Sequence, residues 1–492
     1  MRVSWTSEKN EIRAPGVLRP GGFLARYMRR KELFFMYDTL IVGGRYPDFE
    51  TGRLERAEIA LKDGRIAALL PEGERPQAER VIDAVGKVVS PGFIDLHMHE
   101  EEFKDGDHSY DISRYMVKQG VTTCVGGNCG QQNHPMAQFK AILDENGGAP
   151  VNYIMLAGYN SLREAHGLGW YDDAPEETRE AILVDLEREM GEGAWGVSFG
   201  LEYSPGISTE EMTRAVSAIR RWDPFVSIHF RADCEECMPS LKEMAQLSRD
   251  TGCRVQVSHL SSLAGTGRNM PESLEFLARE IGENPLLGYD TYPYTAFCTG
   301  IGTAAFDMDW RKKWGVDYDI ILLLHEPYTG QRCDKELYEK VRRENPEVNV
   351  VAFAMDEESI RDAVAHPVGL LGSDGSISDG YLGHPRAAGT FPRVLGKYVR
   401  EDKALTLMEA LDKMTRRAAA RVGLESKGQV KQGMDADLVI FDPDTIKDGA
   451  QFTDITLPNQ GIDQVMIGGI TVVEKNVLTG ALPGRFLSRN EN

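Results

Sequence analysis

Eight short apolar runs recur at 88–96, 120–126, 151–157, 194–200, 225–230, 254–260, 286–291 and 368–373, with helical patterns such as 176–190 and 238–250 between them. This alternation constrains the chain more than any other feature. Consecutive strands separated by helices do not pair as hairpins; they lie parallel in one sheet, with the helices as crossovers. Eight such units predict an α/β fold, a closed (β/α)8 TIM-like barrel. The largest excess of chain, about residues 298–366, falls between the seventh and eighth runs. A long insertion at a barrel mouth commonly serves as an active-site lid. No repeat exists beyond the alternation itself.

The two ends read differently. Tyr37 to Gly44, residues 56–64 with the turn Lys62-Asp63-Gly64, Ile66 to Leu70 and Val81 to Val89 read as short strands, as do Asp437 to Pro443 and Val465 to Val473. Residues 1–35 stand apart, with Pro15, Pro20 and Gly21-Gly22 and no periodicity, and are expected to form a poorly ordered extension. The 492 residues carry 76 Asp+Glu against 56 Lys+Arg, a net charge of −20, which argues against a nucleic-acid or anionic-membrane partner. No stretch approaches the ~18 consecutive apolar residues of a membrane span. Arg29, Arg30 and Lys31 precede only Leu33-Phe34-Phe35-Met36, too short for a secretory segment. Seven cysteines, an odd number spread along the chain, do not suggest a disulfide framework. The expectation is a cytoplasmic protein whose thiols are free or on metal.

Metal-type residues fall at the C-terminal ends of the runs. Run one ends in Asp95-Leu96-His97-Met98-His99, where the i, i+2 spacing puts His97 and His99 on one face of a strand. Run two leads into Gly127-Asn128-Cys129-Gly130, run five carries His229, run six leads into His259, and run eight leads into Asp374. A barrel brings its strand ends to one mouth, so ligands far apart in sequence converge. Imidazole, thiolate and carboxylate suit Zn2+ or a similar divalent ion. The chemistry such a set serves is metal-assisted hydrolysis, with a neighbouring carboxylate moving the proton. Asp374 is the run-end carboxylate for that role; capping of the next helix is a compatible alternative.

The segment Pro91-Gly92-Phe93-Ile94-Asp95-Leu96-His97-Met98-His99 resembles the strand-one signature of the amidohydrolase superfamily. More narrowly, Gly127-Asn128-Cys129-Gly130, Gly200-Leu201-Glu202-Tyr203-Ser204-Pro205-Gly206, Tyr292-Pro293-Tyr294, His384-Pro385-Arg386 and Gly433-Met434-Asp435-Ala436-Asp437 resemble the D-aminoacylase (N-acyl-D-amino-acid deacylase) family, over about residues 36–492. The resemblance implies one tight zinc on Cys129, His229 and His259, and a weaker second ion on His97, His99 and Asp374, with Asp374 as proton shuttle. It implies a TIM-like barrel (88–429) and a small β-sandwich built from 36–87 and 430–492. The implied reaction cleaves the amide of an N-acyl-D-amino acid or L,D-dipeptide, a small-molecule substrate; ring-opening of a hydantoin- or dihydroorotate-like cyclic amide is the alternative. A homo-oligomer is compatible with either.

The implied substrate contacts are Arg386, Tyr292, Tyr159, Ser261 and Cys298. Three of them depart from the family pattern. Ser261 stands where a Lys is expected two residues after the strand-six His, Cys298 replaces a Ser, and Gly158-Tyr159-Asn160 replaces Gly-His-Gly. Several other signals read as structural. Cys234-Glu235-Glu236-Cys237 lacks a thioredoxin-like context, Arg231 is as well explained by an ion pair as by a place at the mouth, and Glu100-Glu101-Glu102 reads as a solvated loop.

Overall fold

The computed structural model describes residues 36–103, 109–307, 309–377 and 383–491; the extension 1–35 lies outside the described residues. Each apolar run contributes a barrel strand: β1 (Phe93–Asp95), β2 (Val121–Gly126), β3 (Asn152–Gly158), β4 (Gly196–Gly200), β5 (Phe225–His229), β6 (Arg254–Val257), β7 (Leu287–Thr291) and β8 (Leu370–Leu371). They pair in sequence order as one parallel sheet. Backbone bonds join its two edges: Leu96 N donates to Leu371 O (3.4 Å), Asp374 N to His97 O (2.7 Å) and His99 N to Gly375 O (3.0 Å). The helices Glu176–Gly191 and Cys237–Thr251 lie where the periodicity puts them. Strands such as β5 are buried at every position, because helices cover one face and the barrel interior fills the other.

Run one is divided. Val88–Pro91 pairs antiparallel with Leu438–Phe441, outside the barrel, and the barrel strand starts at Phe93. Gly92 is the joint. A Cβ there would lie 2.0 Å from Thr122 Oγ1, so only glycine lets the backbone cross β2 this closely.

Both chain ends build a pair of sheets beside the barrel. Four strands, Arg65–Leu70, Glu58–Lys62, Tyr37–Val42 and Ala78–Asp83, form one. The other has seven strands and mixes Val88–Pro91 and Arg45–Asp48 with Leu438–Phe441 and Ile462–Ile467. Ile41, Ile59 and Ile66 from the N-terminal segment pack with Leu438, Ile440 and Met466 from the C-terminal one. Fully burying each such side chain contributes about 1.5–3 kcal/mol, so this shared cluster ties the two ends together.

The insertion between β7 and β8 is a small folded unit. Its strands Phe297–Gly300, Asn349–Ala352 and Ile321–Leu323 form a three-stranded antiparallel sheet. Phe306, Trp310, Trp314, Tyr338 and Val341 give it an apolar core of its own. The helix Glu357–Ala365, which the sequence places in the lid, packs instead against the barrel helices Leu260–Thr266 and Met270–Glu283. It is the crossover that every parallel strand pair requires. Among the described residues no helix is long and apolar enough to cross a membrane.

Candidate metal centre

Three turns just beyond strand ends deliver the central side chains, all with backbone in the left-handed region: Cys129 (φ 57°), His259 (φ 31°) and Asp374 (φ 54°). Such a conformation costs a non-glycine residue about 1–2 kcal/mol. It persists where the surroundings over-determine it, and it clusters at functional sites. Here the turns swing three side chains inward over the barrel axis.

The resulting cluster is tight. Cys129 Sγ lies 3.3 Å from His97 Nε2, 3.4 Å from His259 Nε2 and 3.8 Å from His229 Nδ1. The donor atoms of Cys129, His229 and His259 all lie within 4.8 Å of one another, and so do those of His97, His99, Cys129 and Asp374. Asp374 Oδ1 is 3.1 Å from His99 Nε2 and 3.6 Å from His97 Nε2. Its other oxygen, Oδ2, is 2.8 Å from Arg386 Nη1.

Outer partners fix the rings. Glu202 Oε2 sits 3.0 Å from His229 Nε2, which leaves Nδ1 as the lone pair facing Cys129. Ser262 Oγ sits 2.8 Å from His259 Nδ1 and turns Nε2 inward. Asp290, on β7, accepts from His259 N (2.8 Å) and from Gln256 Nε2 (2.9 Å). Asp95 accepts from His97 N (3.1 Å) and Ser373 N (2.7 Å), tying β1 to the turn after β8.

The electrostatics favour a bound cation. Burial pushes the His97 ring down to about 3 and His259 well below its ordinary value, so both present neutral lone pairs. Burial pushes the Cys129 thiol up, an unfavourable place for a thiolate without a positive ion beside it. Burial also pushes Asp374 up, but the charge of Arg386, with a hydrogen bond from His99, outweighs it and holds the carboxyl well below the usual range. Two imidazoles and a thiol converging on one point, with two further imidazoles and a carboxylate alongside, fit Zn2+ in number and kind.

A cavity of about 670 Å³ opens onto this cluster, with His99 and Asp374 at its base and Tyr203, Cys298 and Thr299 on its wall. Of the five expected substrate contacts, only Cys298 faces it. Tyr159 does not. Its ring packs on Phe199 at 4.8 Å and its hydroxyl donates to Glu211 Oε1 at 3.1 Å, in a buried group completed by Arg163. Ser261 is fully buried, and its Oγ accepts from Tyr292 N at 3.3 Å. Tyr292 lies under Arg386, whose guanidinium carbon is 4.8 Å from the ring centre. Arg386 itself is 1% exposed; beyond its contact with Asp374, its Nη2 donates to Cys298 O at 3.3 Å, so it backs the carboxylate and does not line the cavity.

Glu100 and Glu101 are also not a solvated run. Glu100 accepts from Asn133 N (2.7 Å) and His134 N (3.0 Å), and Glu101 from Ile112 N (2.8 Å), Ser113 N (2.7 Å) and Tyr153 Oη (2.9 Å). Both are buried because they satisfy loop amides beneath the cavity rim. Arg231 pairs with Glu243 at 2.8 Å. Cys234 Sγ faces Lys313 O and Cys237 Sγ faces Ser273 Oγ, and both thiols are free.

Comparison with known proteins follows the same lines. Amidohydrolase family models match residues 88–268 and 313–473. The D-aminoacylase of Alcaligenes xylosoxydans xylosoxydans is 31% identical over 491 residues, covering 92% of this chain and 98% of the relative. The crystal structure of the N-acyl-D-glutamate deacylase from Bordetella bronchiseptica, complexed with zinc and a phosphonate inhibitor that mimics the tetrahedral intermediate, superposes with a TM-score of 0.80 at 30% identity, over 92% of this chain and 99% of that one. A D-hydantoinase superposes with a TM-score of 0.59 at 16% identity over 92% of this chain and 98% of that one, a likeness of fold alone.

Proposed function

The chain belongs to the amidohydrolase family, in its D-aminoacylase group, and from that premise we propose that it is a zinc-dependent hydrolase that cleaves N-acyl-D-amino acids to a carboxylate and a free D-amino acid. Cys129, His229 and His259 would hold one zinc tightly, and His97, His99 and Asp374 a second, weaker divalent ion. The observation that carries this reading is Cys129 Sγ facing the nitrogens of His97, His229 and His259 at 3.3–3.8 Å, in one cluster with the His99 and Asp374 that line the cavity. When bound, such an ion supplies Lewis acidity toward the amide carbonyl and the attacking water.

The side chains do the rest. Asp374 is the base: with Arg386 on Oδ2 and His99 beside Oδ1, its carboxylate is held at the cavity floor to take the proton of the attacking water and deliver it to the leaving nitrogen. Arg386, packed on the ring of Tyr292, holds that carboxylate in place, and the insertion supplies Thr299, Gly300 and Asn349 to the cavity wall. Tyr203, Cys298 and Thr299 are the wall groups a substrate would meet in this reading.

The test is amine release from matched N-acetyl-D- and N-acetyl-L-amino acids, with metal content measured on the same sample. D-selective turnover by zinc-loaded protein, lost in Cys129→Ser together with the metal, is the expected result. A zinc-replete enzyme with no turnover of any D-substrate overturns the substrate assignment. Absence of stoichiometric metal overturns the metal centre.

A further inference from the structure

The insertion reaches the metal-binding wall through one buried polar joint. Asp233, in the turn after β5, is 2% exposed. Its Oδ2 accepts from Trp314 Nε1 (2.6 Å), on the insertion helix Trp310–Trp314, and from Thr266 Oγ1 (2.8 Å), on the helix after β6. The ammonium of Lys313, the insertion residue before Trp314, sits against Asp233 Oδ1. That ammonium also lies 3.9 Å from Glu202 Oε1, while Glu202 Oε2 faces His229 Nε2 at 3.0 Å. Among the described residues Lys313 is the one Lys or Arg paired with Glu202. A line of opposite charges thus runs from the insertion to a ligand of the proposed metal centre.

We propose that Lys313 is a positioning residue for the metal centre: it anchors one oxygen of Glu202 so that the other stays aligned on His229 Nε2, and docking of the insertion thereby sets how His229 presents Nδ1. The proposal rests on the metal-centre reading above. Its physical basis is that an outer carboxylate fixes the tautomer and orientation of a ligating histidine. A side chain 12% exposed, with one oxygen facing an ammonium at 3.9 Å and the other facing His229 Nε2 at 3.0 Å, is pre-organised for that work; without the ammonium only the histidine contact restrains its rotamer.

A double-mutant cycle on zinc affinity tests this, using chelator competition, with the visible spectrum of the Co2+-loaded protein as a second readout independent of turnover. Glu202→Gln should weaken binding by about 10- to 100-fold, the usual loss for an outer-shell partner. Lys313→Met should weaken it by about tenfold and shift the Co2+ spectrum. In the Glu202→Gln background the same change should have less than about a twofold effect, because Lys313 acts through Glu202. Lys313→Arg should restore affinity. Should the methionine variant not fold, Lys313→Gln keeps a polar head for Asp233 and completes the cycle. The proposal is overturned if removing the ammonium leaves affinity and spectrum unchanged while lowering the melting temperature of the metal-free protein, or if it weakens binding equally in both backgrounds. A wild-type protein that binds no zinc refutes the metal-centre reading instead.

Discussion

Removing the guanidinium behind Asp374 is the most demanding test of the site. Arg386 is 1% exposed, Asp374 is 6% exposed, and their charged atoms are 2.8 Å apart. Breaking a buried pair from one side leaves a charge with no counter-ion and costs about 3–5 kcal/mol. Arg386→Met should therefore lower the urea-unfolding free energy of the metal-free protein by that amount. Asp374→Asn strands the guanidinium and should cost a similar amount. The double variant carries neither charge, so its cost should fall at least about 2 kcal/mol short of the sum of the singles, a coupling typical of contacting charges. Activity should not follow stability. Both singles and the double lose the proton-moving group or its alignment, and each should lose about 100- to 10,000-fold in kcat. Unfolding costs that add to within about 0.5 kcal/mol would refute the buried pair. A double variant that regained turnover along with stability would refute Asp374 as the base.

Three further outcomes follow from the packing. Tyr159→Phe should leave kcat/KM unchanged and cost about 1 kcal/mol, because its hydroxyl serves Glu211 and not the cavity; a tenfold loss in kcat/KM would return it to the substrate. Gly92→Ala should destabilise the protein by about 1–3 kcal/mol through overpacking against Thr122, read as a fall in melting temperature. Lys413 is 2% exposed, and its Nζ donates to Val364 O and His366 O; burial, helped by the charge of Arg417, pulls its amine down to about 7. The unfolded chain then binds a proton that the folded one has released between pH 7 and the ordinary lysine value, so this group makes stability rise with pH across that window, by up to about 1.4 kcal/mol per pH unit. In Lys413→Met that contribution vanishes; a difference between variant and wild-type unfolding free energies that stays flat from pH 7.5 to 9.5 would refute it.

What the sequence makes legible, and what it hides, divides on a physical line. Parallel strands buried on both faces are predominantly apolar, so all eight barrel strands stand out as runs. Side chains at strand ends have to be chemically distinct from those runs, and for this reason His97, His99, Cys129, His229, His259 and Asp374 stand out in the chain itself. The strands Arg45–Asp48 and Arg53–Arg56 are not visible, because an edge pair half open to solvent has no apolar run to show. Charge near the mouth misleads for the opposite reason. Glu100 and Glu101 look like solvated acids, yet they are buried acceptors for loop amides, and burial of that kind depends on a distant loop returning to the same place. Asp290 carried a signal that periodicity alone does not weigh: a carboxylate inside an otherwise apolar strand is costly to bury unless something holds it. What holds it is the backbone amide of His259, and the same carboxylate lies 3.6 Å from His97 Nδ1. The proposed chelating residues are thus readable one at a time, while Glu202, Asp290 and Lys313, whose contacts would aim them, become readable only as pairs. A pairing is a property of the closed barrel with its insertion docked, and no local pattern in the chain encodes it.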